Sequence, residues 1–122
     1  IIQQKKRMTN KYYVLDDKGE VEMVDDMFTW ARWFKTSSEK RRIARSDING
    51  FSVSTVFLGL DHNFCFDPED KEPILFETMV FDDREGKSGY DYNEGEYTQR
   101  YHTREEAEKG HEEVVNKIKN LK

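Results

Sequence analysis

Residues 51–60, Phe-Ser-Val-Ser-Thr-Val-Phe-Leu-Gly-Leu, constrain the fold of this chain more than any other stretch. The first half alternates, Phe51 and Val53 apolar against Ser52 and Ser54 polar. Successive strand side chains point to opposite faces, so alternation marks a strand with one wet side. The second half is apolar on both faces, which places the strand centrally, with neighbours on both edges and a cover. Residues 74–81 are its natural partner. Gly59 signals a bulge or a close backbone approach.

The other elements arrange themselves around that strand. Residues 11–16 form a short β-type run through Tyr12, Tyr13, Val14 and Leu15. Asp16-Asp17-Lys18-Gly19 is turn chemistry, and residues 21–24 resume with Val21 and Met23 on one side, Glu22 and Val24 on the other. This reads as a β-hairpin. Asp25 or Asp26 can cap the next segment, where Met27, Trp30, Ala31 and Phe34 recur at helical spacing. Phe28 and Trp33 lie off that stripe; either a second element covers them, or an exposed ring serves binding. Residues 97–102 alternate as another strand. Thr103-Arg104-Glu105-Glu106 then fits a capping box. The helix behind it buries Ala107, His111, Val114, Ile118 and Leu121, with Val115 widening the stripe. Acidic residues fill its first half and Lys117, Lys119 and Lys122 its end, matching the helix dipole. Gly110 inside it implies close helix–sheet packing.

The expected fold is therefore α+β: an antiparallel sheet of about five strands with two main helices on one face, in the order β-β-α-β-β-β-α. A further strand at residues 42–48 would add to it. With 122 residues, one domain fits. Met8-Thr9-Asn10 would make a natural start, so residues 1–8 are set apart as a leader or disordered segment and 9–122 form the domain. Hydrophobic residues make up 35 % and charged residues 37 %, so the core is lean and depends on its 13 % of aromatics. A net charge of −5 gives no pull toward nucleic acid or anionic lipid. Cys65 is the single cysteine and cannot form an internal disulfide, which favours a reducing compartment. No apolar run approaches the roughly 18 residues of a membrane span.

Four constellations could carry chemistry. Asp61, His62 and Asn63 end the central strand, where a His beside a carboxylate can act as a base; equally, Asp61 and Asn63 shape a turn through their side chains. Glu77 falls among apolar neighbours on its strand. It needs a partner, with Arg100 or His102 to hand, and otherwise would be a perturbed carboxylate in a cleft. Arg41, Arg42 and Arg45, with Lys40, form the main basic cluster, either a solvated face or a phosphate site. Trp30, Trp33 or Tyr92 could stack on a base above it, and Tyr90 and Tyr92 sit in the acidic loop of residues 82–96. His111 belongs to the core as a hydrogen-bonded histidine. No phosphate-binding, dinucleotide, Cys-x-x-Cys or Gly-x-Ser-x-Gly motif is present, and no histidine pair has metal-ligand spacing, so no cofactor or metal is expected.

The strings Val53-Ser-Thr-Val-Phe-Leu-Gly-Leu-Asp-His-Asn-Phe64, Leu75-Phe-Glu-Thr-Met-Val-Phe81 and Arg100-Tyr-His-Thr-Arg-Glu-Glu-Ala-Glu-Lys-Gly-His111 resemble a family of small uncharacterised phage and prophage proteins. Lys11-Tyr-Tyr-Val-Leu-Asp16 and Trp30-Ala-Arg-Trp-Phe34 fit it too, so the resemblance covers most of residues 8–115. It departs at residues 65–72, where the family has a shorter Gly/Pro-rich loop, and at the longer acidic loop after Phe81. The family has no assigned activity, so no functional residue carries over. The resemblance implies phage origin and a cytoplasmic site of action in an infected bacterium.

The expectation that follows is a phage accessory protein that engages or inhibits a host defence protein without catalysis. Its acidic loops would dock on a basic surface or imitate nucleic-acid charge. The alternatives are a small-ligand or nucleotide-sequestering protein holding an anion on Arg41, Arg42 and Arg45, a small hydrolase using His62 with Asp61 or Glu77, and a virion component. The expected partner is a host protein, with a small anionic ligand as the other candidate and neither membrane nor nucleic acid.

Overall fold

The computed structural model describes residues 12–63, 72–84 and 97–121. Asn49 and Gly50 organise its centre. Both take positive φ, 52° and 84°, as a two-residue type I′ turn requires, and such a turn twists with the strands it joins. It folds β3 (Arg42–Ile48) back on β4 (Phe51–Phe57). β5 (Phe76–Asp82) pairs antiparallel along all of β4, and β6 (Gln99–Tyr101) pairs with β5. The strand of residues 51–57 thus has the two neighbours its sequence demands, and one of them is the extra strand at 42–48.

Strand register sorts the side chains into two faces. Phe51, Val53, Thr55 and Phe57 stand opposite Asp82, Val80, Thr78 and Phe76. The helix at the end of the chain, Arg104–Lys119, packs on this face: Ala107 joins Phe57, Leu75 and Phe76, and Ile118 joins Val53 and Val80. Thr103 caps it, its Oγ1 accepting the Glu106 N–H at 3.1 Å. The Glu106 carboxylate reaches back to accept from the His102 N–H at 3.1 Å, one residue ahead of the cap. Leu121, expected on the buried stripe, lies past the helix end and is exposed.

The fold is α+β and antiparallel, but the six strands among the described residues divide into two sheets. β1 (Tyr12–Leu15) and β2 (Val21–Val24) form a separate hairpin. Gly59, at φ 81°, ends the run of β4. The β1 backbone meets the end of that run through the Tyr12–Leu60 bridge and the Tyr13 N–H to Gly59 carbonyl bond of 2.9 Å.

α1 (Met27–Thr36) packs on this hairpin, Asp26 capping it by accepting from Phe28 N–H and the Thr29 hydroxyl. A short second helix, α2 (Ser38–Arg41), leads into β3, so the terminal helix is α3. The Trp30 ring lies 5.5 Å from Tyr12 and 4.9 Å from Phe34, and Trp33 meets Phe57 edge-on at 5.9 Å. A Cβ at Gly59 would come within 3.1 Å of Phe34 and 3.2 Å of Trp30, so the bare backbone there admits both rings. The inward face of α1 accordingly runs through residues 30, 33 and 34. Met27 and Ala31, expected on it, are exposed, because the helix seats through its second half.

Between the two apolar clusters lies a polar one. His111 is buried, its Nδ1 2.8 Å from Thr55 Oγ1 and its Nε2 2.9 Å from Ser46 Oγ; the Thr55 and Thr78 hydroxyls bond each other. This is the core histidine the sequence implies. Burial holds its imidazole below the ordinary value near 6.5, only partly offset by the charge of Glu112. As pH falls through about 6.5 the unfolded chain takes up this proton before the folded one, so stability falls and then levels off once the folded histidine titrates. Urea midpoints measured between pH 7.5 and 5 should show that slope, and His111→Gln should flatten it.

Gly110 meets the Tyr101 ring, and a methyl group there would overlap the ring's outer atoms. Ala improves helix propensity by about 1 kcal/mol, whereas overpacking costs about 1–3 kcal/mol. Gly110→Ala should therefore destabilise, by up to about 2 kcal/mol in a denaturant titration. Tyr101→Phe should be neutral or stabilising, because the buried Tyr101 hydroxyl finds no hydrogen-bond partner among the described residues.

Candidate functional site

The groups at the end of the central strand are committed to its shape. Asp61 Oδ1 accepts from the backbone N–H of Asn63 at 2.7 Å and of Ile74 at 3.0 Å. Asn63 donates from Nδ2 to the Glu72 carbonyl at 2.7 Å. His62 Nδ1 lies 2.9 Å from the Leu60 carbonyl; a carbonyl only accepts, so Nδ1 carries the proton. Together with the burial of its hydroxyl end, the charge of Asp61 raises the Tyr13 phenol above its usual range, burial being the larger cause. These contacts tie the strand end to the start of β5.

Glu77 takes the partner expected for it. Its carboxylate receives Arg100 Nε at 2.9 Å, across the β5–β6 register pair. The pair sits on the sheet face opposite α3, and the Glu77 side chain is 13 % exposed. His102 turns elsewhere, Nδ1 bonding the Pro73 carbonyl at 2.9 Å.

The basic cluster does not converge. Arg41 lays its guanidinium over the Phe34 ring at 3.6 Å, and burial lowers its pKa. Arg42 opens β3 beside the first hairpin turn. Arg45 pairs with Asp47 at 3.6 Å. The chain changes from helix to strand between residues 41 and 42, and the pairing register slips between Arg42 and Ala44, so adjacent arginines diverge. Trp33 is half-buried and packs edge-on against Phe57. A phosphate site built on Arg41, Arg42 and Arg45 is therefore not formed among the described residues. Tyr90 and Tyr92 lie outside those residues.

A cleft of about 420 Å³ opens between the end of α3 and the sheet. It is lined by Phe51, Val80, Val114 and Ile118, with Lys117 at its edge, and none of the three arginines reaches it. No group of three or more His, Cys, Asp or Glu side chains is placed to hold a metal among the described residues. None of the described helices is long and apolar enough to cross a membrane.

The surface that stands out follows the first hairpin. Val21 is 41 % exposed, Met23 55 %, Met27 48 % and Phe28 71 %. Four large apolar side chains in eight residues of chain exceed the scattered single exposures normal for a soluble protein. Phe28 is the ring that the helical stripe leaves unplaced, and Trp33, its counterpart, is the one the core takes. Over residues 16–26 the chain carries six carboxylates against Lys18 alone. Asp16 is occupied by the Lys18 and Glu20 N–H groups, Asp26 by the α1 cap and Asp17 by Lys40 at 3.5 Å. Backbone hydrogen bonds hold the exposed Asp16 carboxyl below the usual range, and its neighbour's hydroxyl, Thr29, does the same for Asp26. Glu20, Glu22 and Asp25 make no side-chain bond or ion pair among the described residues.

Among the described residues, one edge of β2 has no strand beside it. The Tyr13 N–H points away from β2 toward Gly59. In an antiparallel ladder, facing residues bond toward each other or away from each other together. Met23 faces Tyr13 and Val21 faces Leu15. The backbone N–H and C=O of Val21 and Met23 are therefore directed outward, and β2 pairs with β1 alone among the described residues. Sequence reasoning registered the alternation of Val21 and Met23 but not its consequence, because edge position is a property of topology. No protein-family model, curated protein or solved structure matches this chain.

Proposed function

We propose that this chain is a phage-encoded accessory protein that binds a host protein without catalysis, through the surface formed by β2 and the first turn of α1. One observation carries the reading: Val21, Met23, Met27 and Phe28 are exposed within eight residues of chain, interspersed with carboxylates that have no partner among the described residues. Burying a Val, Met or Phe side chain is worth about 1.5–3 kcal/mol each. Four of them supply the centre of an interface, and the acids supply a polar rim. The groups that would do chemistry point the same way. Asp61 holds backbone, Glu77 holds Arg100, and both nitrogens of His111 are engaged. Phage origin rests on the sequence resemblance, and an infected bacterial cytoplasm is the compartment that goes with it.

A photo-crosslinking residue placed at position 23 or 28 and expressed in the bacterial host should give one discrete adduct. The same group at Glu113, on the solvent side of α3, should give none. With the captured protein purified, Phe28→Ala should raise the dissociation constant about tenfold or more. It should leave thermal stability within about 0.5 kcal/mol, as an exposed substitution does. Equal labelling from position 113, or an unchanged dissociation constant, would sink the proposal.

A further inference from the structure

We infer that β2 is a docking edge for an extended segment of a partner protein in which basic and apolar residues alternate, added to the hairpin as a third strand. The inference rests on the binding reading above and names the chemistry of its partner. Its geometry comes from the outward backbone groups of Val21 and Met23, two donors and two acceptors spaced as a ladder requires. Its side-chain code comes from the sequence of the edge itself.

Residues 20–23 read Glu-Val-Glu-Met. Residues directly opposite each other across a strand pair lie on one face and interact there. A strand added beside β2 therefore sets alternate residues against Val21 and Met23, and the intervening ones against Glu20 and Glu22. The apolar positions of the newcomer would extend the face that Tyr13 and Leu15 begin in the core. Its other positions would meet two carboxylates that have no cation partner among the described residues. Lys or Arg there gains a favourable cross-strand pair, and Asp or Glu is repelled. Main-chain bonds would supply affinity and the alternation specificity, as in other strand additions.

The same code argues against a second copy of this chain. Pairing β2 antiparallel with itself brings Glu20 opposite Glu22 of the other copy when Val21 faces Val21, and Glu22 opposite Glu22 when Val21 faces Met23. Like charges directly opposite are destabilising. Glu20 and Glu22 thus close the edge to itself and to acidic strands while leaving it open to a basic one.

Two synthetic octapeptides of equal composition test this, one alternating Lys and Val, the other with four Lys followed by four Val. The full chain, labelled with ¹⁵N, is titrated with each, and amide hydrogen exchange is followed. The alternating peptide should slow exchange at Val21 and Met23, weaken with added salt, and bind at least about tenfold more tightly than the block peptide. Met23→Pro removes one outward donor without touching the β1–β2 ladder and should cost about tenfold in affinity. Glu20→Lys with Glu22→Lys should reverse the preference toward an alternating Glu–Val peptide. That charge swap keeps the test alive if the proline variant fails to fold. Binding that leaves the Val21 and Met23 amides unprotected, or no preference for alternation, overturns strand addition. The crosslinked partner of Phe28 would then still stand or fall by its own experiment.

Discussion

The polar link between His111 and Thr55 sets where everything else can sit. A helix lying on a sheet through apolar contacts alone can slide, since methyl groups accept many registers. A buried imidazole with hydroxyls at both nitrogens cannot, because a shift of one residue would strand two or three polar groups without partners. His111 therefore pins α3 to β3 through Ser46 and to β4 through Thr55, with Thr78 of β5 joined behind. The apolar clusters fall into place on either side, Phe57, Phe76 and Ala107 toward one end, Val53, Val80 and Ile118 toward the other. In a chain with more charged than hydrophobic residues, that specificity substitutes for bulk.

With α3 covering one face of the large sheet, the first hairpin is left to complete the aromatic end of the core. It does so through Tyr13 and Leu15 on β1, while α1 delivers Trp33 to Phe57. Gly59 is the joint: its carbonyl holds Tyr13, and its missing side chain admits Trp30 and Phe34. β1 is consumed by this docking and β2 is not. The exposed edge is the outer half of a hairpin whose inner half is spent on the core.

Sequence patterns carried the parts of this fold that depend on local chemistry. The Thr103 cap, the Ala107–His111–Ile118 stripe, the central strand and the first hairpin are each written in four to thirteen consecutive residues. The Glu77–Arg100 pair followed from one carboxylate facing apolar neighbours. What did not show were the consequences of topology. The break at Gly59 that splits the strands into two sheets depends on rings arriving from α1. The separation of Arg41, Arg42 and Arg45 depends on a register slip at Ile43. Phe28 and Trp33 are equivalent off-stripe aromatics in the sequence, and only the seating of α1 on its second half decides which is core and which is surface.

That seating also explains why the acids collect where they do. An edge left unpaired by the described residues and flanked by Val21, Met23, Met27 and Phe28 invites association with any exposed strand, a hazard that proteins blunt with charge. Lysine would serve that purpose as well as glutamate. The choice of one sign matters, because a guard of mixed charge repels everything a little, whereas six carboxylates against one lysine reject self and acidic strands and attract basic ones. Under the proposed strand addition, the charge pattern that opposes pairing of β2 with itself would also be the pattern that selects its partner. On that proposal, resistance to self-association and partner choice would both rest on residues 16–26, and a sign-changing substitution there would alter both.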